Sequence, residues 1–246
     1  MIGQIEGMGP NLAVSFVIPT WRDAKNLAFL LPNLAQLAPT PEIIVVGVSG
    51  DTAAEQVAAD HGVRFAHFLT PSRGEQMNHG ASLATGDVIV FQHADTEFGP
   101  LHLAAIKAAF RDRAVVGGAF YRKFDQRHPR LIWLENVARW LTRYGGTLFG
   151  DQTIFVSRDV FRRLGGFAKI PLMEDVEFSP RLRRAGKIAL LDPPVRSSAR
   201  HHDRKGAWRT TIHNGLLLLL YRMGVPPRTL HRWYYERSNT AGRAVP

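Results

Sequence analysis

The chain has 246 residues, no cysteine and a formal net charge of +10. The missing cysteines exclude disulfides, thiolate metal sites and cysteine nucleophiles, and they fit a reducing compartment such as the cytoplasm. The apolar fraction of 45% can fill the core of one large domain, and the positive balance suits an anionic partner: nucleic acid, an anionic membrane or a phosphorylated substrate.

The opening "MIGQIEGMGPNLA" lacks the basic start and long apolar core of a signal peptide. "VSFVIP" is a β-rich run stopped by proline. "DAKNLAFLLPNLAQL" carries leucines at helical spacing, with Pro32 expected to bend or divide the helix. "EIIVVGV" reads as a strand covered on both faces. A small-residue helix, "TAAEQVAADHG", closes with Gly62, and "VRFAHF" is a third strand. Ser72 and Glu75 have capping-box spacing at the start of "RGEQMNHGASLA", in which Gly80 permits close packing. "DVIVF" is the fourth strand.

Alternating strands and helices with short connections predict an α/β fold, a mainly parallel central sheet with helices on both faces. Ligands of such sheets bind beyond the carboxyl ends of the strands. Pro19, Thr20, the Gly47–Asp51 loop and His93–Asp95 all lie at those ends and are expected on one rim.

The second half is less regular. "AVVGGAFYRKF" and "QTIFVS" read as strands, and "DVFRRLGGF" as a short helix. "RLIWLENVARWLTRY" reads as an amphipathic helix in which Trp133 and Trp140 pack. "MEDVEFSPRLRRAG" places acids at a helix start. From Gly206 onward the chain is basic, aromatic and leucine-rich, a helical tail. No apolar run approaches the roughly 20 residues needed to cross a bilayer. "GLLLLLY", flanked by Arg204, Lys205, Arg209 and Arg222, suits a peripheral position on an anionic membrane.

Four places carry candidate chemistry. Asp95 is either a turn acid or a hard ligand for Mg²⁺ or Mn²⁺ against a diphosphate, with His93 beside it. Glu174, Asp175 and Glu177 either favour a helix N-terminus or include a general base whose pKa is raised by apolar neighbours. Arg73 stands at a helix start that favours anions, with Asn78 further along the same helix. His201 and His202 offer metal ligands in a loop that is otherwise basic and solvated. Nucleotide-binding glycine loops of the GxxxxGK[ST] and GxGxxG types are missing, as is a GxSxG elbow.

In order, these pieces resemble the family 2 glycosyltransferases of GT-A fold over nearly the whole chain. "SFVIPTWRDAKNL" looks like the family's opening strand and turn, "QMNHGASLATGDVIVFQHADT" like its segment ending in DxD, and "GDQTIFVSRDVFRRLGGF" with "LMEDVEFSPRLRRAGK" like its acceptor side with the ED motif. "GAWRTT" resembles a late tryptophan–arginine element. The order of "HADT", "GDQTIFV", "LMEDVE" and "SAR" is similar to that of the radical-SAM-associated, or arsenosugar-biosynthesis, subgroup.

The resemblance implies one GT-A domain: a nucleotide-sugar half over about residues 14–110, an acceptor half over about 111–205 and a tail over about 206–246. It also implies inverting transfer from a nucleotide-diphosphate sugar to an acceptor hydroxyl. Pro19, Thr20, Asp23, Asp51, Arg73, Asn78, His93, Ala94, Asp95 and Arg209 would serve the donor. Mn²⁺ or Mg²⁺ would sit on Asp95, with His93, His201 or His202. Asp175, or else Glu174, would be the base. The acceptor would be lipid-linked or a small molecule, and no nucleic acid is expected. The sequence departs from the family pattern twice: His93 replaces the first acid of DxD, and Gly47 stands where an acid contacts the base, with Asp51 the displaced candidate. A nucleotidyltransferase and a non-catalytic basic module on nucleic acid or membrane are the competing readings.

Overall fold

The computed structural model describes residues 12–124, 139–140, 142, 146–197 and 207–240, with 124, 197, 207–214 and 235–240 described by their backbone alone. The strands are β1 (Val14–Thr20), β2 (Glu42–Val48), β3 (Arg64–Phe68), β4 (Val88–Phe91), β5 (Val115–Phe124), β6 (Ile154–Ser157) and β7 (Lys187–Ser197). The helices are α1 (Ala24–Ala35), α2 (Thr52–Asp60), α3 (Arg73–Leu83), α4 (Pro100–Ala109), α5 (Arg158–Arg163), α6 (Glu174–Ala185), α7 (Ala207–Arg222) and α8 (Pro227–Thr240). Most of the expected helix over 131–145, and the histidine pair 201–202, lie outside the described residues.

One seven-stranded sheet runs β3-β2-β1-β4-β6-β5-β7. β1 pairs in parallel with β2 and β4, β2 with β3, and β5 with β7, while β6 runs antiparallel to β4 and β5. The expected mainly parallel sheet is therefore present. Neighbouring residues of a strand point to opposite faces. Phe16, Ile18, Val45, Val88 and Val90 join a buried cluster with α1, α2 and α4. Val17, Ile44, Val46, Ile89 and Phe91 join the opposite cluster with α3, α5 and α6. Both faces are buried, which explains strands that read as unbroken apolar runs.

Local expectations fare differently. Pro32 lies inside a continuous α1 and does not divide it. Ser72 stands at the N-cap of α3 but its side chain makes no capping bond, so the expected capping box does not form. Trp140, expected to pack, is 61% exposed. At Gly80 a Cβ would stand 2.4 Å from Val17 Cγ1, so α3 lies against the sheet at a distance that only glycine allows. On α7 and α8, Leu217 and Leu230 are buried. No described helix is long and apolar enough to cross a membrane.

Candidate active site

The strand order changes direction between β1 and β4: β2 and β3 lie on one side, and later strands on the other. A crevice opens at such a switch point beyond the carboxyl ends of the strands. Pro19 and Thr20 end β1, and the turn His93–Thr96 leaves β4 at the same rim. β6 is antiparallel, so the turn just before it, Gly150–Thr153, reaches this rim too. The described residues with positive φ that are not glycine are Arg22, Thr153 and Met173, at φ 55°, 52° and 69°. They lie after β1, before β6 and before α6. Left-handed backbone is unfavourable for such residues and gathers where a fold fixes loops at a site.

The turn carrying Asp95 is held from beneath by Gln92, which is fully buried. Its Nε2 donates to the carbonyls of His93 (3.1 Å) and Thr96 (2.6 Å), and its Oε1 accepts from Thr153 Oγ1 (3.0 Å). One side chain thus joins the β4 turn to the β6 turn. Asp95 itself is half-buried, and Thr96 Oγ1 donates to its Oδ1 at a long 3.4 Å. Ala94 is buried beside it.

His93 turns away from solvent at its reactive edge. Its Nε2 is buried and has no hydrogen-bond partner. Burial, and then the Arg73 guanidinium, push its pKa down to about 3, so the imidazole is neutral at ordinary pH. A Cβ at Gly150 would stand 3.1 Å from His93 Nε2 and 3.3 Å from Asp175 Oδ2. Gly150 therefore packs so closely against both side chains that any larger residue there would have to displace them.

Asp175 is 7% exposed in the first turn of α6. Gly150 N–H donates to its Oδ2 (2.7 Å) and Val176 N–H to its Oδ1 (2.8 Å). Arg73 Nη2 lies 3.8 Å from Oδ2. Burial and then the Glu174 charge raise its pKa, while Arg73 and the two backbone donors pull the other way; burial prevails. The other two acids are held by arginines. Arg73 Nε donates to Glu174 Oε1 at 2.5 Å, and Glu174 is 2% exposed. Glu177 pairs with Arg181 one helical turn on, and Arg181 also donates to the carbonyls of Leu164 (2.6 Å) and Gly166 (2.9 Å). Asp175 is left as the acid of this segment that faces the crevice without a direct arginine hydrogen bond.

Among the remaining donor candidates, Asp51, Asp23 and Asn78 make hydrogen bonds within the fold. Asp51 caps α2, accepting from Ala54 N–H at 3.4 Å, and also accepts from Arg22 N–H at 2.7 Å, which fixes the loop after β1. Asp23 accepts from Asn26 Nδ2 at 2.7 Å. Asn78 donates to Phe167 O (2.9 Å) and accepts from Phe167 N–H (2.8 Å), clamping the turn after α5. Thr20 Oγ1 is buried without a partner at the rim. A Cβ at Gly47 would stand 2.2 Å from Phe65 Cζ, so an acid at the end of β2 would require the Phe65 ring to move. Arg209 lies on the α7 backbone with its side chain undescribed.

The donor set fits a hard divalent cation only in part. Asp95 supplies a carboxylate at the rim, and no group of three or more potential ligands gathers among the described residues. Such a cation takes much of its shell from phosphate oxygens and water, so one carboxylate beside a bound diphosphate is a workable site. His93 Nε2 is buried against Gly150 and turned away from solvent. Sequence reasoning missed Gln92, Gly150 and Thr153; a buried glutamine directly before "HADT" was the available signal.

Solved structures share this architecture, three of them as follows. A mannosyltransferase from Pyrobaculum calidifontis, in complex with GDP-Man and Mn²⁺, aligns at TM-score 0.63 and 16% identity over 92% of this chain and 70% of its own. Glucosyl-3-phosphoglycerate synthase from Mycobacterium tuberculosis, in complex with Mn²⁺, UDP and glucosyl-3-phosphoglycerate, aligns at 0.59 and 20% identity over 92% and 85%. S. aureus TarS 1-349 with UDP-GlcNAc aligns at 0.57 and 19% over 76% and 58%. These likenesses establish the GT-A fold. No curated protein matches the sequence. The family model for glycosyl transferase family 2 matches residues 15–165, which span β1 to the end of α5 and include the β1, β4 and β6 sides of the crevice, while Asp175 on α6 lies beyond the match. The chain therefore belongs to glycosyl transferase family 2 and is a glycosyltransferase.

Proposed function

We propose that the protein moves a sugar from a nucleotide-diphosphate sugar to an acceptor hydroxyl, with inversion at the anomeric carbon and with Mn²⁺ or Mg²⁺ as cofactor. The observation that carries this reading is Asp175, a buried carboxylate of raised pKa whose neighbours Glu174 and Glu177 are each tied to an arginine. One positioned base suits a direct displacement. The acceptor oxygen bonds to the anomeric carbon, the bond from that carbon to the diphosphate breaks, and the acceptor proton passes to Asp175. Gly150 and Val176 N–H hold the carboxylate in place throughout. Asp95 would hold the metal, which when bound would offset the charge of the leaving diphosphate. Pro19, Thr20 and the Arg22 loop, fixed by Asp51, would border the nucleotide. The bound ligands of the structural neighbours support a nucleotide-sugar donor. The order of "HADT", "GDQTIFV" and "LMEDVE" supports the radical-SAM-associated subgroup.

The two acids have separable roles. Asp95→Ala should weaken nucleotide-sugar binding in Mn²⁺ and abolish transfer. Asp175→Asn should keep donor affinity and lose a factor of about 10²–10⁴ in rate. Donor calorimetry beside transfer rates checks both variants. Loss of donor affinity in a folded Asp175→Asn, or near wild-type transfer by it, contradicts the assignment.

The proposal extends to location: peripheral attachment to an anionic membrane on its cytoplasmic face. Leu216, Leu219 and Met223 recur at i, i+3 and i+7 along α7 and its end, and are 48%, 54% and 71% exposed. Trp233 of α8 is exposed as well, and Arg222, Arg228 and Arg232 stand among these residues in the sequence and are exposed. An exposed apolar stripe with basic neighbours is suited to a headgroup interface.

A further inference from the structure

A second cleft, of about 410 Å³, opens on the side of α6 that faces α7. Val176 and Glu177, the residues directly after Asp175, form part of its wall. Its other lining residues include Arg181, Arg183 and Arg184 from α6, Tyr221 and Arg222 from α7, and Thr147. The charge balance is uneven. Glu177 pairs with Arg181, so that arginine is neutralised. Arg183 is half-buried and donates to two uncharged acceptors, the carbonyls of Gly146 (3.0 Å) and Thr142 (2.9 Å). Burial lowers its pKa. Arg222 Nη2 donates to the neutral Thr147 Oγ1 at 3.1 Å, and Arg184 is exposed at the cleft. Four guanidinium groups thus line one cleft, and among its described lining residues the one carboxylate, Glu177, is already paired with Arg181, which leaves Arg183, Arg184 and Arg222.

We propose that this cleft binds a phosphate monoester carried by the acceptor, so that Arg183, Arg184 and Arg222 anchor the acceptor while its hydroxyl is presented to Asp175. This rests on the reading of Asp175 as the acceptor-side base. Three features favour phosphate. Guanidinium groups match phosphate oxygens through paired, charge-assisted hydrogen bonds. The arginines approach from two helices, which suits a tetrahedral group with oxygens on several sides better than a flat carboxylate. The cleft is also within electrostatic reach of the base: burial raises the Tyr221 pKa, and the charges of Glu177 and Asp175 add to it. A phosphate held here would also bring a counter-charge to the half-buried Arg183.

The phosphate has two possible sources, a soluble metabolite or a lipid, and the test has an arm for each. Glycerol 3-phosphate is titrated into the full chain by calorimetry at constant ionic strength. Flotation then compares vesicles of phosphatidate with vesicles of phosphatidylglycerol at matched surface charge. The variant is Arg184→Gln with Arg222→Gln; both side chains are exposed, so the fold should persist. The expected result is binding of one probe, glycerol 3-phosphate or preferentially phosphatidate, that weakens about tenfold or more in the variant. Nucleotide-sugar affinity should be the same in both proteins. The proposal is overturned if neither probe binds the wild-type chain, or if the variant binds as tightly. Failure of the underlying donor reading appears separately, as a wild-type chain that binds no nucleotide sugar.

Discussion

The acidity of Asp175 is set by opposing neighbours, and this makes its role testable at the scale of one residue. Burial and Glu174 raise its pKa; Arg73, Gly150 N–H and Val176 N–H lower it. Transfer should therefore fall as pH drops through a value raised above that of an ordinary aspartate, because the base becomes protonated. Glu174→Gln removes a negative neighbour and also releases Arg73 from its 2.5 Å bond to Glu174. Both changes favour ionised Asp175, so the acid limb of the pH–rate profile should move to lower pH while transfer persists. Loss of all transfer in a folded Glu174→Gln would instead assign the base to Glu174. His93 has the opposite sign in stability. Its folded pKa of about 3 lies below the unfolded value of 6.5, so the unfolded chain binds the extra proton. Its contribution to stability is present above about pH 6.5 and is lost as pH falls toward 3. His93→Asn should flatten that part of a stability-versus-pH curve measured by denaturant titration.

At the scale of elements, how much could be read in the sequence followed from what each signal measures. The first four strands and three helices lie where β-rich apolar runs and helical spacing placed them; the runs are unbroken because both sheet faces are buried. β7 was not foreseen. Pro193 and Pro194 interrupt its pattern, and its pairing with β5 shifts register between Phe120 and Arg122. The acids of α6 were visible as a cluster, but which of them stays available depends on Arg73 and Arg181, and the Arg73–Glu174 bond spans 101 residues of sequence. Asn78 shows the same limit: both of its bonds reach Phe167, 89 residues away. Gly80 was legible as a packing residue, and it carries a prediction. Gly80→Val would drive Cγ atoms into Val17 and Val46, which already lie 2.4 and 2.9 Å from an ideal Cβ. Overpacking of this kind costs about 1–3 kcal/mol or more. Thermal unfolding should show a lowered Tm, with donor affinity per folded molecule little changed.

For the whole molecule, the family match, the α/β architecture and the rim of loops agree on glycosyl transfer, and they leave the non-catalytic reading without support. The positive balance of the chain finds two local expressions, the arginine-lined cleft beside α6 and the basic residues around α7 and α8. The second predicts that wild-type protein floats with anionic vesicles and not with neutral ones. Leu216→Glu with Leu219→Glu should abolish flotation while leaving the donor site untouched, since both leucines are exposed. Equal absence of the wild-type chain from both vesicle fractions contradicts peripheral attachment.

The most direct test of the central claim is a calorimetric titration of UDP- and GDP-linked sugars into the full chain, with and without Mn²⁺. At least one nucleotide sugar should bind in Mn²⁺, and Asp95→Ala should remove that binding while Asp175→Asn preserves it. Absence of binding by every nucleotide sugar, with Mn²⁺ and without it, would contradict the account.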